Sequence, residues 1–213
     1  GTATYVYDGK YLLTANLRAD ASSRFGQNNQ WGYFPSVSAG WVISREAFMR
    51  DIDWLSNLKL RLSTGSLGNQ ASLGNYDYMT LYRKEGDNFV VARYGNADLR
   101  WESTTQHNVG LDAGFFNNRL SLTADYFIKQ TKDILLPISL PSLGGDVDPT
   151  VVNAGEVRNA GFEFGAGYRG STSGGFSYAL NANLATLTNE VEKLHSNLPY
   201  ISGTVSQIGR AHV

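Results

Sequence analysis

Cysteine is absent from this 213-residue chain, which excludes disulfide staples and thiolate metal sites but does not by itself assign a compartment. No apolar run approaches the ~20 residues of a membrane-spanning helix, and mean hydropathy is −0.27. A dominant charge is missing too: 18 Lys and Arg face 19 Asp and Glu, and the basic residues are dispersed. That leaves no electrostatic footprint for nucleic acid. There is neither an initiator methionine nor a signal peptide; Gly1 reads as lying inside a longer protein, so the compartment must come from the pattern of the residues present.

What is present is 12% aromatic residues and 23 glycines with only 17% charge, an unusual mixture for an ordinary globule. The clearest pattern runs from Arg119 to Gln130. Leu120, Leu122, Ala124, Tyr126 and Ile128 share one face, and Ser121, Thr123, Asp125 and Lys129 the other, with Phe127 the exception on the polar side. Similar alternation marks Lys10 to Arg18, blurred by Leu12, then Tyr33 to Ser44, Leu58 to Gly65, Gln106 to Ala113, Ala160 to Arg169 and Phe176 to Ala185. Ser44 is placed to cap a short helical turn before Leu58. A further strand is expected at Tyr76 to Tyr82.

These strands are joined alternately by short turns and long polar excursions, and the long ones fall at 19–32, 66–104 and 131–159. Transmembrane β-barrels sort their connections in this way, with short periplasmic turns and long extracellular loops, and the averaged hydropathy stays low because only alternate residues meet lipid. The expected fold is all-β: an antiparallel transmembrane β-barrel, present as a partial wall of about seven strands. Tyr11, Tyr33, Trp41, Phe115, Tyr126, Tyr168, Phe176 and Tyr178 are expected to form two aromatic girdles at the membrane boundaries.

The chemistry-bearing residues are sparse. His107, His195 and His212 are scattered, which argues against catalysis, and Asp51 with Asp53, like Asp146 with Asp148, reads as solvated loop carboxylates. Gly144 and Gly145 bend a loop rather than cradle a phosphate. Lys59, Arg61, Asp112, Asp125, Lys129, Glu163 and Arg169 point inward and are expected to pair across strands. Arg24, Phe25, Trp31, Tyr76, Tyr78, Tyr94 and Trp101 lie in or near the long loops, where they can contact a substrate or partner, stack on sugar rings, or pack the loops together. No cofactor or metal is expected.

Several strings resemble the C-terminal barrel of the SusC/RagA-type TonB-dependent outer-membrane transporters of Bacteroidota: YLLTANLRADASSRFG with NNQWGYFPSVSAGW, LSNLKLRLSTGSLGNQ, DLRWESTTQHNVGLDAGFFNNRLSLTADYF and VVNAGEVRNAGFEF. The resemblance implies a plugged barrel of ~22 strands, a SusD-like surface lipoprotein as lid, energy supplied through TonB by a region outside this chain, and a glycan, or else a peptide, as imported nutrient. Two rival readings remain at this point. A soluble β-sandwich carbohydrate-binding module would bury the apolar faces in a core; a catalytic barrel of the phospholipase kind would need a clustered Ser, His and carboxylate.

The last residues, 207–213, stand apart. Ile208 to Val213 read IGRAHV, the translation of ATC GGA AGA GCA CAC GTC, the body of a common sequencing adapter, and Gln207 as CAG supplies its preceding AG. The expectation is a barrel fragment over 1–206 with an adapter-derived tail; different source codons would refute it.

Overall fold

A computed structural model describes residues 1–138, 147–172 and 174–194. Eight strands form one antiparallel sheet in chain order: β1 (Thr2–Tyr7), β2 (Tyr11–Ala21), β3 (Trp31–Val42), β4 (Leu55–Asn69), β7 (Glu102–Phe115), β8 (Leu120–Lys132), β11 (Gly155–Ser171) and β12 (Ser177–Leu194). Two small hairpins are set into the long loops, β5 (Leu81–Glu85) with β6 (Asn88–Arg93), and β9 (Leu135–Ile138) with β10 (Thr150–Asn153). The sheet has one strand more than the seven read from the alternation, because β1 was not picked out. The further strand expected at Tyr76 is a turn closed by Met79 N–H donating to Tyr76 O at 3.0 Å, with β5 starting only at Leu81. His195, His212, Asp146, Gly144, Gly145 and the 207–213 tail lie outside the described residues.

Register carries the alternation from strand to strand. Leu13, Ala39, Leu62, Val109, Tyr126 and Phe162 form one continuous row across β2, β3, β4, β7, β8 and β11. A slip of one residue in any strand would turn its apolar set to the other face, so this agreement holds for the wall as a whole. Leu62, Val109 and Phe162 are 45, 48 and 48% exposed, and among the described residues no second sheet covers them. The sandwich reading fails on that observation.

The short connections are local in origin. Asp8 and Gly9, with φ of 52° and 59°, turn β1 into β2; Asn117 and Asn118, at 58° and 59°, help turn β7 into β8. Asn and Gly tolerate this left-handed region far better than branched residues do. Ser44 lies inside a 3-10 turn, Ile43–Arg45, whose N-cap is Val42, so it is not the cap the sequence suggested.

On the opposite, polar face Arg61 donates twice to Asp112, at 2.8 and 2.9 Å, and reaches past β7 to Asp125 on β8 at 3.0 Å. Gly110 lies between them in the same row, and a Cβ there would collide with the guanidinium and the Asp125 carboxylate. Cross-strand pairing therefore holds for these three charges. Among the described residues Lys59, Lys129, Glu163 and Arg169 make no ion pair.

Aromatics gather at the short-turn end, where Tyr11 stacks on Trp41 with centroids 6.4 Å apart, Trp54 on Phe115 at 5.8 Å, and Tyr168 neighbours Tyr178 at 6.0 Å. The opposite end is thinner: Trp31 and Tyr33 face outward there, while Tyr126 lies at mid-strand against Phe162. The outward aromatics are thus dense at the short-turn end and sparse at the other, where Trp31 and Tyr33 stand. Polar tips at the short-turn end are satisfied by Glu46, which accepts from the Tyr11 hydroxyl at 2.6 Å and the Trp41 indole N–H at 3.1 Å, with Lys10 at 3.4 Å. The Tyr11 hydrogen bond, then that of Trp41, holds the Glu46 carboxyl below its ordinary range. With the folded pKa depressed, the latch is intact above the unfolded carboxylate value and is lost as pH falls through the lower folded one. The fluorescence contributed by Trp41, taken as the difference from Trp41→Phe, should report that acid transition, and Glu46→Gln should abolish it; an unchanged transition in Glu46→Gln would remove Glu46 from the account.

Candidate functional site

Three loops leave the same end of the wall, 22–30 after β2, 70–101 after β4 and 133–154 after β8; the first is shorter than the connection 43–54 at the opposite end, so the expected sorting by length holds for the other two. Backbone that leaves a sheet must find other partners for its polar groups, and here the loops supply them to one another. Trp101 Nε1 donates to Gln30 O at 3.2 Å, Asn96 Nδ2 to Val151 O at 3.3 Å, and Thr150 Oγ1 to Tyr94 O at 3.0 Å. Asn153 clamps the Arg100 backbone from both sides, accepting from its N–H at 3.0 Å and donating to its carbonyl at 2.9 Å. Asp77, almost fully buried, pairs with Arg93 at 2.7 Å and accepts from the Gly74 N–H at 2.7 Å, which fixes the turn beside the β5–β6 hairpin.

Beneath these bonds is a small apolar core drawn from all three loops. Phe25 and Leu99 are fully buried, Leu73, Leu135 and Val151 nearly so, and Tyr78 and Trp101 pack against them. The core is fastened to the inner face of the wall through Phe34. Its ring meets Trp101 edge-on at 5.7 Å and lies over Gly32 and Gly68, where any Cβ would strike it. Trp101 also contacts Phe25 at 4.9 Å. Gly26 is required for the closest loop approach, since a Cβ there would come within 2.6 Å of Ala97 O.

The seven candidate residues divide accordingly. Phe25, Tyr78 and Trp101 build the platform from inside. Trp31 and Tyr76 face outward, 61 and 58% exposed. Arg24 and Tyr94 are half-buried at its margin. Phe34 was missed because it stood as an apolar exception on the polar side of β3; that exception was the available signal. Tyr82 and Phe89 are 64 and 74% exposed on the β5–β6 hairpin; Tyr82 ended the strand expected at Tyr76 to Tyr82, and Phe89 fell in a stretch where no strand was expected. The platform offers flat aromatic faces and hydrogen-bonding edges, a chemistry of contact.

A meandering antiparallel wall with an open apolar outer face and interlocked loops at one end is the barrel wall of an outer-membrane protein. The chain belongs to the family described as TonB dependent receptor-like, beta-barrel, whose pattern matches residues 1–208. It is 36% identical over 195 residues to TonB-dependent receptor P39 of Formosa agariphila, covering 89% of this chain and 19% of that protein. To TonB-dependent receptor SusC of Bacteroides thetaiotaomicron it is 34% identical, covering 91% of this chain and 20% of that protein. Among solved structures, the RagAB peptide transporter matches with a TM-score of 0.82 and 32% identity over 92% of this chain and 22% of that chain. The chain spans about a fifth of the length of these curated relatives. It is a SusC/RagA-type segment, located in the outer membrane.

Proposed function

We propose that the chain is part of a TonB-dependent importer of a nutrient oligomer, in which the loop platform helps capture cargo at the outer surface before it passes the lumen. A SusD-like lipoprotein is the partner at that surface, TonB acts through the region outside this chain, and no bond chemistry is involved. The observation that carries the reading is the platform itself. Three loops from three hairpins share one core of Phe25, Leu73, Leu99, Leu135 and Val151; Tyr76 stands exposed in the second of these loops, and Trp31 is exposed at the loop end of β3, on its outer face. Preorganised aromatic faces lose little entropy on contact, and stacking on sugar rings is their simplest use. A glycan is therefore the first cargo class. Peptide is the second, favoured by the similarity to a structure described as a peptide transporter.

The test uses the complete gene product in a strain lacking it, with fluorescent oligosaccharides and oligopeptides of matched size. Uptake of the oligosaccharide should require the gene and TonB. Trp31→Ala and Tyr76→Ala should each weaken capture about three- to tenfold, the usual worth of one stacked ring, without altering the barrel. Uptake confined to peptides would move the cargo to the second class, and wild-type capture of both ligands by both variants would remove the aromatics from the site.

A further inference from the structure

At the short-turn end, Arg119 and Arg169 stand opposite each other across β8 and β11, one step beyond the Leu120–Tyr168 pair, with Arg169 N–H donating to Arg119 O at 2.8 Å. Like charges so placed repel. Among the described residues neither guanidinium has a carboxylate partner, and both residues are exposed. They line a cleft of about 430 Å³ with Ser171, Ser177 and Tyr178. Register gives both arginines the inner parity, together with Ser171, Ser177 and Ala179, and Tyr178 the outer one; Ser171 and Ser177 are the last pair of β11 and β12, so the cleft lies at the rim, where the two faces of the wall meet. Tyr168 and Tyr178 set this rim at the depth where aromatic rings meet lipid headgroups.

A second feature lies deeper on the outer face. Ala113, Ala124, Ala166 and Ala182 leave a hollow of about 490 Å³ bordered by Phe115 and Phe164. Ala166 is three residues before Arg169, or ~10 Å at the rise of a strand. Short side chains in an otherwise bulky lipid-facing surface create a recess that only something slender and apolar fills, and paired guanidiniums at the boundary recognise a phosphate.

We propose that cleft and hollow together hold one anionic glycerophospholipid of the periplasmic leaflet, with its phosphate on Arg119 and Arg169 and an acyl chain over Ala113, Ala124, Ala166 and Ala182. Charge complementarity and the spacing from rim to recess commit the site to a lipid rather than to a soluble anion.

The experiment is native mass spectrometry of the complete outer-membrane protein released from nanodiscs of equal phosphatidylglycerol and phosphatidylethanolamine. The wild type should retain phosphatidylglycerol preferentially. Arg119→Gln with Arg169→Gln should reduce that preference by up to roughly 30-fold, at about 1 kcal/mol for each basic residue near an anionic surface. The double Lys variant should keep much of it, and Ala166→Phe should lower retention of both lipids equally. Folding is read from heat-modifiable migration, and if Ala166→Phe unfolds, the arginine variants alone decide. Wild-type spectra from the double Gln variant would overturn the proposal. So would displacement of the lipid by inorganic phosphate without regard to acyl chain. Unchanged lipid retention with faster proteolysis of the lumen would overturn it as well, by assigning the arginines to an acidic group inside the barrel.

Discussion

Val109→Arg is expected to destabilise the complete barrel by about 2–4 kcal/mol, whereas Asn108→Arg, one residue away, should cost under about 1 kcal/mol. Val109 lies at the middle of β7, flanked on the outer face by Leu62 and Tyr126, and among the described residues nothing covers it. Arginine there must place its charge in hydrocarbon or bend toward a distant headgroup. Asn108 faces inward and donates to Ser63 Oγ at 3.3 Å, in a polar row that also contains Thr14 and Ser38. Leu122 is a weaker probe despite its clear alternation. It is two residues from the short-turn end of β8, where a long basic side chain can snorkel to the interface and the penalty falls toward ~0–1 kcal/mol. Urea unfolding in lipid vesicles measures all three. Equal tolerance at Val109 and Asn108 would contradict the assignment of faces.

Phe25→Ala should have a comparable effect of a different kind. Removing a fully buried phenyl ring costs about 3–5 kcal/mol where the site cannot collapse. Here the loss falls on the loop platform, because Phe25 touches Trp101 and the residues of the loop core rather than the central wall. Hydrogen exchange should show loops 22–30 and 70–101 losing protection together, while β7 and β8 keep theirs. If only 22–30 loosens, the loops fold independently and the shared core is not the cohesive element. Capture of cargo should fall with the platform even though Trp31 and Tyr76 are unchanged.

The wall was legible because a membrane barrel writes its two environments into alternate residues. β8 shows this most plainly: Leu120 to Ile128 fixes the outer face, and only Phe127 departs from the pattern. β1 was not picked out because TATYVY ends in an apolar triplet, in which Val6 breaks the contrast on the polar side. The loop hairpins escaped for another reason. LLPI and TVVN are too short to show a period, and their pairing depends on burying Leu135 and Val151 against residues far away in the chain, such as Leu99 and Phe25. Tyr76 to Tyr82 read as a strand because tyrosines favour strands, yet the buried Asp77 carboxylate turns the chain there. The site was half visible. Aromatics in the loops could be named from the sequence, but which of them support the platform and which face outward depended on contacts among the three loops, as Phe25 and Trp31 show.

The absence of cysteine from this chain makes one measurement especially direct. Single cysteines placed in turn at positions 106 to 109 and 111 to 113 of the complete protein, in its native membrane, can be labelled with a membrane-impermeant maleimide and with a lipid-confined one; Gly110 is left in place because a Cβ there would collide with Arg61 and Asp125. Positions 107, 109, 111 and 113 should react with the lipid-phase reagent, and 106, 108 and 112 should not. The same reactivity at all these positions, or full aqueous labelling of 109 and 111, would contradict the reading of this chain as an outer-membrane barrel wall.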